Sequence, residues 1–197
     1  MSTELVPAGQ PPVTLDETIK LGKLMVDSGF FVDARGVAGA AVKILAGREL
    51  GFPAIASMTG VHIIEGKPSV GAHLLAALVK RSGRYDYRVL RCDREACELE
   101  FTENGKPLGA VRATLQEYVD GGVATDARVN LKANWKRSPD DMLFARAISK
   151  GFRRHCPHLT GGTLVYAEGE IEPAEPAEVA ARDAQPATPP PPPATAT

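Results

Sequence analysis

The chain predicts an α+β fold, an antiparallel β-meander packed with helices. Three observations predict it. Residues 85–113 hold three short runs in which apolar and polar positions alternate, separated by tight turns. Segments with helical spacing flank that meander on both sides. Strands and helices also fail to alternate in the strict way a doubly wound parallel sheet demands.

Taken in order, Thr14 to Ser28 has an amphipathic pattern with Leu15, Ile19, Leu24 and Met25 as expected buried positions. Ala38 to Leu50 is an alanine-rich helix, stopped by Gly51. Gly60 to Pro68 is a strand followed by a glycine turn. Ser69 is then expected to cap a helix reaching Arg81, with Leu74, Leu75, Leu78 and Val79 turned inward and Gly83 as the stop. The meander runs from Tyr85 to Cys92, from Ala96 to Thr102 and from Leu108 to Ala113. Asn104-Gly105 marks its second turn, because both residues tolerate the positive φ of a two-residue hairpin loop. Cys92 and Cys97 flank the first turn as possible cross-strand neighbours, and three cysteines in all argue against a disulfide framework. Tyr85 and Tyr87 share one strand face and read as core. A short helix from Thr114 to Val119 leads through Gly121 and Gly122 to the last helical segment.

The 197 residues, 44% hydrophobic, allow one domain with tails. The net charge of −1 hides a polarity. Residues 168–197 set six acidic side chains against Arg182 alone, end in a proline run and contain no aromatic residue. Such a segment cannot bury enough apolar surface to order itself. The expected division is a flexible amino terminus over 1–13, a domain over 14–166 and a disordered, acidic, proline-rich tail over 167–197. No apolar run reaches membrane-spanning length and no signal peptide opens the chain, so a cytoplasmic protein with no membrane partner is expected.

The opposite charge lies in Lys132 to His158. Seven basic residues (Lys132, Lys136, Arg137, Arg146, Lys150, Arg153 and Arg154) face only Asp140 and Asp141, and the segment holds the only tryptophan, Trp135. Ser138 suits an N-cap and Pro139 the first helical position, with both aspartates near the positive end of the helix dipole. At about 100° per residue, Arg146, Lys150, Arg153 and Arg154 fall within an arc of about 100°. Phe144, Ala145, Ile148 and Phe152 take the opposite side. A helix of this kind packs on one face and presents a basic ladder on the other, the electrostatic footprint of a phosphate backbone. A plain solvated basic face is the alternative.

Motifs for enzyme chemistry are missing from the sequence. Gly60, Gly66 and Lys67 only approach a phosphate-binding loop, with the wrong glycine spacing and Pro68 where a hydroxyl belongs. Neither a catalytic constellation, a metal site nor a cofactor is expected. Asp140 and Asp141 point about 100° apart on a helix and read as capping charges rather than metal ligands. His155-Cys156-Pro157-His158 has no zinc-ligand spacing and is expected to finish the helix.

Trp135 to Ala147, WKRSPDDMLFARA, resembles a pattern of the RecT family of phage single-strand annealing proteins, in which Trp, Pro, Met-Leu and Arg-Ala follow at this spacing. Gly47 to Gly51, Val61 to Pro68 and the helix from Ala72 to Val79 are similar to the family as well, so the resemblance spans about residues 38–165. It implies a RecT/Redβ-like annealing core. It also implies ATP-independent binding of single-stranded DNA, held extended in a basic groove and paired with a complementary strand during phage-type homologous recombination and repair. The implied partners are further copies of the chain as a homo-oligomer, a phage exonuclease and a host single-strand-binding protein. A nucleic-acid-binding structural protein that does not anneal is the alternative.

On this reading Lys132, Lys136, Arg137, Arg146, Lys150, Arg153 and Arg154 are the expected phosphate contacts, with Arg48 and Lys67 as secondary candidates. Arg146 borders the packed face, so an internal ion pair is its alternative role. Trp135 has two roles open to it, stacking on a base or anchoring its helix on the sheet. Arg48 and Lys67 read equally as solvent-facing charges at a helix end and a turn. The acidic tail is a candidate competitor for the basic face or a docking segment for a host protein, against the plainer role of solubiliser.

Overall fold

A computed structural model describes residues 14–64 and 66–161. The expected tails over 1–13 and 167–197 lie outside the described residues, as do residues 162–166 at the expected end of the domain. The architecture is α+β, with two small antiparallel sheets and seven α-helices among the described residues.

Helix α1 (Leu15–Asp27) starts at a capping box. The Thr14 hydroxyl accepts from the Glu17 amide at 3.3 Å, and the Glu17 carboxylate accepts from the Thr14 amide at 2.8 Å. The Thr14 amide and hydroxyl, both donating to the Glu17 carboxylate, hold that carboxyl below its usual range. Helix α2 (Val37–Glu49) packs along α1 through small residues. A Cβ at Gly22 would stand 3.3 Å from both the Ala41 amide and the Val37 carbonyl. This close approach corrects the expected core face of α1. Thr18, Gly22 and Met25 are buried, whereas Leu15, Ile19 and Leu24 are exposed. Helix α3 (Ala54–Gly60), unforeseen in the sequence, completes a small helical cluster around Met25, Ala34, Ala40, Ile44 and Met58.

Strands β1 (Val61–Ile64) and β2 (Lys67–Val70) form a hairpin where one strand was expected. Ser69 is therefore a buried strand residue opposite His62, and the cap of α4 (Ala72–Arg81) is Gly71. The three-stranded sheet runs β3 (Tyr85–Cys92), β4 (Ala96–Glu103) and β5 (Lys106–Thr114) in the expected meander. Asn104 and Gly105 turn at φ 49° and 77°, between the paired residues Glu103 and Lys106. Thr114 caps the short helix α5 (Leu115–Asp120).

The main core lies between this sheet, α4 and the long helix α7 (Pro139–His155). Leu99, Phe101, Leu143, Ile148 and Phe152 are fully buried there, each contributing roughly 1.5–3 kcal/mol of apolar transfer. Gly151 permits the close approach, since a Cβ there would overlap the Phe101 ring. Ser138 occupies the N-cap of α7 without a side-chain capping bond, and Pro139 takes the first turn as expected. Among the described residues no helix is long and apolar enough to cross a membrane.

Candidate nucleic-acid interface

The expected basic ladder does not form as a surface. Helix α7 is covered by β4 and β5 on one side, by α4 on another and by α6 (Ala133–Arg137) near its start. Pro139 and Leu143 fall within the arc assigned to the basic residues and Ala147 lies about 20° beyond its edge, and all three are buried. An apolar residue in or beside that arc at every turn is the signal that the ladder is half core.

Arg146 is 0% exposed, which corrects its assignment as a phosphate contact. Its guanidinium stands 5.3 Å from the Tyr118 ring centroid and 5.8 Å from that of Trp135. Ring faces attract a desolvated guanidinium. Trp135 is itself buried, with its ring 5.4 Å from that of Tyr118. Its role is thus the anchoring one, and the stacking role is corrected because no face of the indole is open to a base. Lys150 is only part-exposed. Its ammonium donates to Glu117 Oε1 at 2.9 Å and to the Arg112 carbonyl at 3.1 Å, tying α7 to β5 and α5.

The remaining candidates form two groups. Lys136 and Arg137 are exposed on α6, with Lys132 half-buried at its start. The β3–β4 turn adds Arg94, whose Nη2 donates to the Lys136 carbonyl at 3.1 Å. Arg94 escaped the sequence reading because it sits in a hairpin turn about forty residues upstream, and only the sheet topology carries it to α6. The second group is Arg153 and Arg154, exposed in the last turn of α7. At about 1.5 Å per residue the two groups stand about 20 Å apart along α7. Arg48 is half-buried in the last turn of α2, where its charge reaches Glu17, so it belongs to neither group. Lys67 opens β2 opposite Ile64, and its side chain lies outside the described residues.

The surroundings of the second group are less polar. The His155 ring lies 5.4 Å from Phe101, and its Nε2 is buried without a hydrogen-bond partner. Burial, assisted by the Arg154 charge, lowers the pKa of His155 and favours the neutral ring. On the opposite end of the meander, Arg91 holds the Asp93 carboxyl down at about 2. That ion pair fixes the turn from which Arg94 projects, since Asp93 Oδ1 also accepts from the Glu95 and Ala96 amides. A cleft of about 370 Å³ lies elsewhere, lined by Ala46, Leu50, Val61, Pro68, Val70 and Leu159, with Glu49 as its one charged side chain. Its apolar, acidic lining is wrong for phosphate. No protein-family model, curated protein or solved structure matches the chain.

Proposed function

We propose that this chain is an ATP-independent single-stranded-DNA-binding and annealing protein of the RecT kind, working as an oligomer in phage-type recombination. The observation that carries the reading is the contact that brings Arg94 of the β3–β4 turn onto α6, where Lys136 and Arg137 are exposed within the motif that resembles the family. That contact brings exposed cations from two separate parts of the chain onto neighbouring elements. Guanidinium and ammonium groups on a rigid scaffold suit sequence-tolerant contact with a backbone. Lys132 extends this basic rim, and Arg153 with Arg154 offers a second point of attachment along the same strand. The energy of annealing on this reading comes from base pairing, without nucleotide hydrolysis.

One observation favours a second reading. Withdrawal of Arg146 and Lys150 leaves the cations in two separate groups rather than one continuous groove. A protein that binds nucleic acid without annealing fits that arrangement. An ATP-free assay with two complementary labelled oligonucleotides separates the two. Acceleration by the wild type, lost in Lys136→Ala/Arg137→Ala, supports annealing through the rim. Tight binding without acceleration supports the second reading, and no binding at all removes both.

A further inference from the structure

The three cysteines differ in their placement. Cys156 and Cys97 are buried, whereas Cys92 is exposed. Cys92 and Cys97 are direct partners in the β3–β4 register. The preceding pair toward the turn, Asp93 and Ala96, is hydrogen-bonded, with the Asp93 amide 3.0 Å from the Ala96 carbonyl. Antiparallel ladders alternate, so Cys92 and Cys97 occupy a non-hydrogen-bonded pair, where the Cα atoms approach to about 4.5 Å and the side chains lie closest. A disulfide needs a Cα separation of about 4.4–6.8 Å. Both thiols point to the α7 side of the hairpin. The Cys92 sulfur donates to the Asp140 carbonyl at 3.7 Å, and burial, helped by the Cys92 thiol, holds the Cys97 thiol up.

We propose that Cys92 and Cys97 are a redox modification site, a vicinal thiol pair that closes to an intramolecular disulfide when the chain meets a peroxide. Cys92 is the sulfur that the oxidant reaches, and Cys97 is the resolving sulfur. Attack of the Cys92 thiolate on hydrogen peroxide breaks the O–O bond and leaves a sulfenic acid, with the departing hydroxide taking up a proton as water. The Cys97 sulfur then attacks the Cys92 sulfur. The S–S bond forms, the S–O bond breaks, and the hydroxyl leaves as a second water with the Cys97 proton. Two thiols lose two electrons and one peroxide becomes two waters. Cys97 is buried and its thiol is held well up by that burial, so the peroxide meets the exposed Cys92 first, and Cys97 gives its proton to the leaving hydroxyl as it attacks. Cys156, which burial raises to about 12, has no such neighbour in the strand register and serves as an internal control.

The site bears on the rim, because the bond would tie together the two ends of the turn that projects Arg94. The inference itself does not depend on any DNA-binding role. The test treats the full-length chain with hydrogen peroxide, blocks remaining thiols under denaturing conditions and maps the tryptic peptides without reduction. Trypsin cuts after Arg91 and Arg94, so a Cys92–Cys97 bond holds together two peptides, one with each cysteine. The expected result is a mass lower by two hydrogens, loss of two of the three alkylatable thiols, and full recovery with dithiothreitol. Cys156→Ser should retain this response and Cys92→Ser should lose it. The proposal is overturned by a Cys92 sulfinic acid beside an alkylatable Cys97, by a bond to Cys156, or by a Cys92-linked dimer.

Discussion

Lys136 and Arg137 on α6 and Arg146 and Lys150 on α7 belong to one run of positive sequence, yet the two pairs meet opposite fates. The first pair is exposed on a short helix whose buried residue is Trp135. The second sits on a helix wrapped by sheet and helices, where Arg146 is enclosed by aromatic rings and Lys150 is held by Glu117. The difference teaches that a count of charges along a segment measures electrostatic footprint only after packing has taken its share. Arg146 spends its charge on joining α5, α6 and α7, which is a structural use of the residue type best suited to ring faces.

The largest effect that would sharpen this contrast is on stability. Arg146→Ala should destabilise the fold by about 3 kcal/mol, since it leaves a cavity and removes the group packed against two rings. Arg146→Lys should rescue little of it, because a compact ammonium cannot span both faces. Urea unfolding checks both, and a near-wild-type midpoint for Arg146→Ala would break the comparison. Lys150→Ala should cost about 1 kcal/mol, as the part-exposed bonds to Glu117 and the Arg112 carbonyl are lost. Lys136→Ala should change stability by less than about 0.5 kcal/mol, as expected for an exposed surface side chain.

A smaller effect concerns pH. The folded-state pKa of His155 is depressed by burial, so the unfolded chain takes up a proton first as pH falls below about 6.5. The contribution of a neutral His155 is therefore fully present above that value and declines as pH falls toward the lower folded pKa. His155→Phe should keep the contact with Phe101 and flatten this part of the profile, measured as urea midpoints across the acidic range. An unchanged pH profile would place the titrating group elsewhere. The weakest expected effect is that of the tail. Deleting residues 168–197 should tighten single-strand binding at low salt if their acidic side chains compete for the rim, and equal affinities would sink that role.

Much of the fold was legible where local chemistry alone decides. The Asn104-Gly105 turn, the meander and the Pro139 start of α7 require only short-range rules. Helix α6 was missed because five residues show no period, and β2 because Pro68 and Ser69 carry turn and cap chemistry. The face of α1 was misjudged because its contact with α2 selects Thr18 and Gly22 for closeness over leucines for area. The site divides the same way. Exposure of Lys136 and Arg137 followed from their place on a polar stretch. The burial of Arg146 depended on Tyr118 and Trp135 arriving from other elements, and Arg94 depended on the register of a distant hairpin.

The most direct test of the central claim, that α6 and its neighbouring turn rather than the middle of α7 form the nucleic-acid interface, is the salt dependence of single-stranded DNA affinity. Each phosphate contact contributes about 0.7 to the slope of log affinity against log salt for a single strand. Lys136→Ala/Arg137→Ala should therefore flatten that slope by about 1.4, while Lys150→Ala leaves it unchanged. A slope untouched by the α6 variant and flattened by Lys150→Ala would contradict the account.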